Sequence, residues 1–223
     1  LYYVGFDYFD RPENYKSFYD VIAIWDGGIA IYGAVIGGVL AAFIITRVKK
    51  FPFPRLLDIC APSHVLGQAI GRWGNFCNQE AFGRAVTDPN LQFFPYSVYI
   101  ERNHTVFDDA AAKWVSCAEP WHQATFFYES MWDLAVFFFL IWYRKRAKYD
   151  GTVMAMYFVA YGLGRFIIEG MRTDSLWAIP GVIRISQLLS LIFIAGGLAY
   201  ILIRRKLKKE NALYNGDYLI NKN

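Results

Sequence analysis

The sequence has few charged residues and few cysteines for its length. Lysine, arginine, aspartate and glutamate make up 19% of the 223 residues, against about 25% in an ordinary soluble domain. Three cysteines without C-x-x-C spacing exclude a small disulfide-stapled module and argue against a zinc site. The chain also lacks the G-x-S-x-G, Walker A and H-E-x-x-H motifs, so nothing marks the enzyme classes that carry them. Apolar residues reach 56%, which excludes a disordered chain.

Long apolar runs account for this composition. Residues 28–46 carry no charge, and the run is about as long as a helix that crosses ~30 Å of hydrocarbon. A soluble helical core does not explain such a run. We therefore predict an all-α, polytopic integral membrane bundle with five spans in this chain, at residues 28–46, 56–76, 124–143, 152–171 and 183–203. The second span contains Pro62 and several glycines, so we expect it to be interrupted or strongly tilted.

The basic residues indicate the orientation of these spans. They form three short clusters, at residues 47–50, 144–148 and 204–209. Five alternating spans place all three clusters on one face, which the positive-inside rule identifies as cytoplasmic. The sequence then divides into five parts. An exported segment (1–26) precedes the first half of the membrane core (27–82); an exported insert (83–121), the second half of the core (122–209) and a cytoplasmic tail (210–223) follow. The net charge of +4 follows from this topology, and no nucleic acid partner is needed to explain it.

Ionisable residues within the predicted spans are candidates for function, because charges are costly at membrane depth. One set follows a helical stripe, since positions i, i+4, i+8 and i+11 lie within about 80° of one another. Its members are Tyr161, Arg165, Glu169 and Arg172. Arg165 and Glu169 alone would also fit a structural ion pair that orders the bundle.

A second set lies at the end of the predicted span 56–76. Arg72 stands between Gly71 and Gly74, which leave room for a ligand to approach. Asn75, Asn78 and Glu80 add hydrogen-bonding groups. Because guanidinium pairs well with phosphate, the two sets together predict a membrane-embedded anion site suited to a phospholipid headgroup. The residues leave three alternatives open: an enzyme, a phospholipid or anion translocator that uses the same arginines, and a structural membrane subunit.

Six sequence blocks resemble the bacterial prolipoprotein diacylglyceryl transferase family. The family signature G-R-x-G-N-F-x-N-x-E is matched by residues 71–80. Five further blocks follow the family order around it, at residues 25–38, 58–62, 124–130, 161–172 and 185–190. The resemblance implies a seven-span helical fold of the bacterial inner membrane, of which this chain holds about five spans. Its site is expected to open toward the exported face.

The resemblance also implies a reaction, and it assigns roles to particular residues. The family moves the diacylglyceryl group of phosphatidylglycerol to the lipobox cysteine of a prolipoprotein and releases glycerol phosphate, without a metal or cofactor. The implied catalytic residues are Arg72, Arg165, Glu169, Glu80 and Tyr32. The implied substrate-binding residues are Gly71, Gly74, Asn75, Asn78, Tyr128, Tyr161 and Arg172.

This chain departs from the family pattern at two places. Tyr32 stands where other members carry a histidine that is often given the role of the base. The proton acceptor is therefore open between Tyr32, Glu80 and Glu169. Gln123 and Ala124 replace a common His-Pro pair, so the neighbouring His122 is not expected to take the role of that histidine, and a structural or solvated position is expected for it.

Overall fold

The computed structural model describes residues 31–101, 104–108, 113–117, 119–172, 177–179 and 183–207. The described helices are α1 (Ile31–Val48), α2 (Phe53–Asn78), α3 (Thr125–Arg144), α4 (Thr152–Glu169) and α5 (Ile185–Leu207). The strands are β1 (Ser97–Tyr99), β2 (His104–Asp108), β3 (Lys113–Cys117), β4 (Trp121–Gln123), β5 (Trp177–Ile179) and β6 (Ile183–Arg184). The predicted exported segment 1–26 and the tail 210–223 lie outside the described residues.

Helices dominate the described chain, as the apolar runs predicted. Within the described residues, α3, α4 and α5 are each long and apolar enough to cross a membrane. The described part of α1 contributes a shorter apolar helix, Val35–Val48. The prediction of a helical membrane protein is therefore confirmed, with three candidate spans established by length and composition.

Helix α2 does not show the interruption that its proline and glycines predicted. It runs without a break from Phe53 to Asn78, with Pro62 inside it. A proline removes one backbone hydrogen bond from a helix, but here its ring is buried in the bundle. Close packing against the neighbouring helices therefore overrides the local helix-breaking tendency.

The chain divides into two compact units, Leu1–Leu56 and Leu57–Asn223. The core of the second unit joins α2, α3 and α4 through buried apolar side chains: Ala61, Val65, Val136, Leu140, Val153 and Tyr157. Helices α4 and α5 approach closely at Gly162 and Gly197. A methyl group on Gly197 would lie 2.6 Å from the carbonyl oxygen of Ala155, so only glycine allows this packing.

The predicted insert, residues 83–121, adds β structure that an all-α assignment does not include. Strand β1 pairs antiparallel with β4, and β2 pairs antiparallel with β3. The bridge between Ala85 and His122 extends the contact to the chain that leaves α2. These ladders are short, and each consists of two strands. The insert is therefore a small β structure attached to a helical bundle.

A buried aspartate from α2 caps the start of α4. Asp58 is 1% exposed, and its carboxylate accepts hydrogen bonds from the backbone N–H groups of Gly151 at 2.7 Å and Met154 at 2.8 Å. A helix N-terminus leaves N–H groups without intrahelical partners, and a negative charge is favourable there. Asp58 therefore fixes the position of α4 relative to α2.

We predict that Asp58→Ala lowers the free energy of unfolding by about 2–3 kcal/mol, because two buried donors lose a charged acceptor. Thermal unfolding in detergent measures the change. Asp88→Ala is the matched control, since Asp88 caps an exposed turn by accepting from the N–H of Asn90. An equal loss of stability in both variants would contradict the capping role of Asp58.

Candidate active site

A buried carboxylate joins two arginines from different helices. Glu129 lies near the start of α3 and is 3% exposed. Its Oε1 atom lies 2.6 Å from Nη2 of Arg72 in α2 and 2.9 Å from Nη1 of Arg165 in α4. Nη1 of Arg165 also donates to Oε2 of Glu129 at 3.1 Å. The two guanidinium groups therefore converge on a single oxygen position inside the bundle.

Arg165 also contacts a second carboxylate, on its own helix. Its Nη2 atom lies 2.7 Å from Oε2 of Glu169, one turn along α4. The ion pair considered from the sequence is thus present, but it belongs to a network of four charges that includes Arg72 and Glu129. The side chains of Arg72 and Arg165 keep 20% and 16% exposure. The network is therefore reachable by a further anion, for which guanidinium is a strong partner.

Helix α3 is held against α2 beside this network. The hydroxyl of Ser130 donates to the carbonyl oxygen of Ala69 at 2.9 Å and accepts from Nε1 of Trp73 at 3.2 Å. Ser130 directly follows Glu129, so these bonds fix where the carboxylate meets Arg72. The sequence Tyr128-Glu129-Ser130 therefore docks one helix on another and places the bridging charge.

The signature residues after Arg72 form a polar chain that leads to the end of α2. Nη1 of Arg72 donates to Oδ1 of Asn75 at 3.5 Å. The amide nitrogens of Asn75 and Asn78 donate to Oε1 of Glu80, at 3.1 and 3.2 Å. Glu80 is exposed. An exposed carboxylate thus lies at the end of a chain of polar side chains that begins at Arg72.

The end of α4 is fixed by Arg184 of β6 and Gln187 of α5. The buried Arg184 donates from Nη1 to the carbonyl oxygens of Glu169 and Arg172. Nε2 of Gln187 donates to the carbonyl oxygen of Phe166 at 3.3 Å. A cation at a helix C-terminus satisfies carbonyl groups that lack intrahelical partners. Arg184 and Gln187 therefore hold the turn that carries Glu169.

Comparison with known proteins identifies the family. The profile described as prolipoprotein diacylglyceryl transferase matches residues 1–203. The chain belongs to the prolipoprotein diacylglyceryl transferase family. A relative from Oceanobacillus iheyensis, named phosphatidylglycerol–prolipoprotein diacylglyceryl transferase, is 40% identical over 96% of this chain and 70% of its own length. Relatives with that name from Clostridium perfringens and a Nostoc species are 42% and 45% identical, over 96% and 92% of this chain and 76% and 70% of their own lengths.

The structure places most of the predicted site residues of this family member near one another. Arg72, Arg165 and Glu169 share the charge network, and Asn75, Asn78 and Glu80 continue from it. Gly71 and Gly74 have no described atom within 4 Å of the position that a Cβ would take. This open space lies beside Arg72, where the sequence predicted room for a ligand.

The remaining predicted residues have other surroundings. Tyr161 stacks on Tyr157, with ring centroids 5.5 Å apart. The hydroxyl of Tyr128 donates to the carbonyl oxygen of Tyr96. Arg172 lies beyond the end of α4 and forms a backbone bridge with Gly83, so it does not continue the helical stripe as its spacing predicted. The side chain of Tyr32 lies outside the described residues.

His122 has a structural role, one of the two alternatives expected from the sequence. It is fully buried in β4. Its ring nitrogens lie 2.9 Å from the carbonyl oxygen of Gly83 and 3.0 Å from that of Glu119. The ring thus connects the chain that leaves α2 to the segment before β4.

Two acidic residues of the site were not selected from the sequence. Glu129 bridges the arginines, and Asp133 lies one turn further along α3 with 0% exposure. Among the described residues, neither carboxylate oxygen of Asp133 has a hydrogen-bond partner. Both acids lie within the predicted span 124–143, and an ionisable group at membrane depth is a candidate for function, so the sequence does carry a signal for them.

Proposed function

We propose that this chain transfers the diacylglyceryl group of phosphatidylglycerol to the cysteine thiol of a prolipoprotein lipobox. One observation carries the proposal: Arg72 and Arg165 converge on one oxygen of Glu129, at 2.6 and 2.9 Å. A phosphate oxygen has the size and charge to take that position. Relatives of 40–45% identity carry a name that states this reaction.

At the glycerol carbon the reaction breaks one bond, to the phosphate oxygen, and forms one, to sulfur; the S–H bond of the thiol breaks as well, and its proton goes to a base. A cysteine thiol with a pKa of ~8.5 must lose its proton to become a nucleophile. The sulfur bonds to the diacylglycerol carbon, and the bond from that carbon to the phosphate oxygen breaks. The electron pair stays on the oxygen, so negative charge grows on the departing glycerol phosphate. Fixed guanidinium groups stabilise such charge most where water is excluded, which is the role of Arg72 and Arg165.

Glu80 is the proton acceptor in this proposal. Glu129 and Glu169 are both ion-paired with Arg165, so protonating either would remove charge that positions this guanidinium. Glu80 is exposed and is held only by the side-chain amides of Asn75 and Asn78, among the contacts described for it. It takes the thiol proton and passes it to the leaving phosphate or to water.

We also propose an orientation and a location. The basic ends of α1, α3 and α5 face the cytoplasm of a bacterial cell, on the inner membrane. The end of α2 and residues 83–121 then lie on the exported side, where the site opens. In this topology all five helices are spans of a seven-span family fold. The partners are the bilayer, phosphatidylglycerol and lipobox peptides.

The test is a transfer assay with purified protein, phosphatidylglycerol and a lipobox peptide. Mass spectrometry should find a diacylglyceryl thioether on the peptide. We predict that Glu80→Gln lowers kcat by about 10²–10³-fold, as expected for loss of a general base, while the KM for phosphatidylglycerol stays unchanged. Headgroup movement without a thioether would instead support a translocator. Full activity of Glu80→Gln would assign the proton to another group.

A further inference from the structure

A groove lies between the end of α2 and the start of the insert. Its volume is about 260 Å³. Its apolar walls are formed by Phe76, Phe82, Val98, Tyr99, Ile100 and Phe126. Phe76 stacks on Phe126 with ring centroids 5.0 Å apart, although Phe76 remains 44% exposed. We call this cavity the signature groove, because five residues of the signature line one side of it: Asn75, Phe76, Cys77, Gln79 and Glu80.

The signature groove is continuous with the arginine site. Asn75 lines the groove and accepts a hydrogen bond from Nη1 of Arg72 at 3.5 Å. Glu80, the proposed proton acceptor, also lines it. A molecule in the groove would therefore lie beside both the phosphate held by the arginines and the carboxylate that takes the thiol proton. The transfer requires the acceptor sulfur to be at this junction.

One edge of strand β1 faces the groove. The N–H of Ile100 donates to the carbonyl oxygen of Pro120, so the alternation of an antiparallel ladder turns the backbone of Tyr99 away from β4. The next residue on that outer edge, Glu101, donates its N–H to Oε1 of Gln79 at the end of α2. The outer edge of β1 therefore points toward the end of α2. Ser97, the preceding residue on this edge, donates its N–H to the carbonyl oxygen of Phe93. Among the described contacts, the backbone of Tyr99 is therefore the part of this edge that an extended peptide can pair with, and such pairing would place neighbouring side chains of the peptide in adjacent pockets.

We propose that the signature groove binds the acceptor substrate as an extended, apolar peptide segment whose backbone pairs with that of Tyr99 on the outer edge of β1. The cysteine of this segment lies at the Asn75 end, next to the diacylglycerol carbon. The apolar residues on either side occupy the aromatic walls. This inference rests on the proposed function, because it assigns a place to the second substrate of that reaction.

Two native cysteines of α2 make the inference testable. Cys77 is exposed and lines the groove, whereas Cys60 is exposed near the opposite end of the helix and does not line it. Two proteins are prepared in which either Cys77 or Cys60 is the only cysteine, by replacing the other two cysteines with serine. Each is labelled with a maleimide in detergent, with and without a lipobox peptide in which serine replaces the acceptor cysteine. This peptide binds but does not consume the reagent.

We expect the peptide to slow the labelling of Cys77 by about tenfold at ten times its Kd, by mass action, and to leave Cys60 unchanged. Unchanged labelling of Cys77 at saturating peptide would overturn the inference. So would protection of Cys77 by phosphatidylglycerol alone, because the groove would then hold a lipid chain.

A kinetic measurement distinguishes a peptide bound in the groove from a peptide that binds elsewhere and slows the labelling of Cys77 indirectly. After excess reagent is removed, a bulky adduct on Cys77 should raise the KM of a reactive lipobox peptide and leave the KM of phosphatidylglycerol unchanged. The same adduct on Cys60 should change neither. An equal rise in both KM values would contradict the placement of the peptide. The proposed function is tested separately with the unlabelled protein. If this protein forms no thioether, the proposed reaction is refuted, whereas protection of Cys77 still measures whether the peptide binds in the groove.

Discussion

Arg165→Ala is expected to lower kcat/KM for phosphatidylglycerol by about a thousandfold. Arg165 donates to Glu129 and contacts Glu169, so its guanidinium is fixed before lipid arrives. A fixed donor aimed at charge that develops in the transition state contributes about 10²–10³-fold to the rate. Loss of phosphate binding in the ground state adds to this effect. Steady-state thioether formation measures the change.

The conservative variant and a surface variant complete this test. Arg165→Lys keeps one charge but loses the two-sided contact with Glu129 and Glu169, because an ammonium group lacks the planar fork of guanidinium. We expect it to recover only part of the activity. Arg146→Ala is the control, since Arg146 is exposed and stacks on Trp142. A folded Arg165→Ala protein with wild-type transfer would remove Arg165 from the mechanism.

The sequence predicts the helices and three of the four charged residues of the network, Arg72, Arg165 and Glu169. Arg165 and Glu169 were expected to share a helix face from their spacing, and they form an ion pair. Arg72 was selected because it stands between glycines at the end of an apolar run. Both predictions depend on local geometry, since helical periodicity determines which residues are neighbours along one helix.

The sequence predicts that the two arginine sets share one anion site, but not the carboxylate that bridges them. Arg72 and Arg165 are brought together by Glu129 of a third helix, and helix–helix contacts depend on packing that spacing alone does not determine. For Arg172 the local rule predicts too much. Its spacing predicts a place on the stripe of α4, but the helix ends at Glu169, where Arg184 donates to the carbonyl oxygens of Glu169 and Arg172. Contacts from residues distant in sequence thus determined both outcomes.

The structure gives Glu129 two opposed effects on the reaction. Its carboxylate keeps two like charges in place, which would otherwise repel each other across the site. The same carboxylate occupies the position proposed for a phosphate oxygen. Lipid binding therefore requires the phosphate to replace Glu129 at one or both guanidinium groups. In the proposed mechanism the Glu129 carboxylate thus holds the two guanidinium groups in position until the lipid phosphate binds.

Variants of Glu129 are expected to separate these two effects. Glu129→Ala removes the described carboxylate partner of Arg72, whereas Arg165 keeps its contact with Glu169. Because both guanidinium groups are partly exposed, we predict a loss of about 1–3 kcal/mol in the free energy of unfolding and no measurable transfer. Glu129→Gln keeps the shape of the side chain and an oxygen acceptor but removes the competing charge. We predict that it lowers the KM for phosphatidylglycerol, because the phosphate meets less competition, and lowers kcat about tenfold, because weaker neutral hydrogen bonds hold the arginines.

Asp133→Asn is the matched control, since it makes the same chemical change one turn further along α3. Neither oxygen of Asp133 has a hydrogen-bond partner among the described residues, so the substitution breaks no hydrogen bond described there, and the charge of Asp133 acts on Arg72 and Arg165 only through space. We expect stability within about 1 kcal/mol of wild type and a smaller change in the KM for phosphatidylglycerol than Glu129→Gln produces. If Glu129→Gln instead raised this KM and left kcat unchanged, the carboxylate would be part of the lipid-binding surface, and the phosphate would not bind in its place.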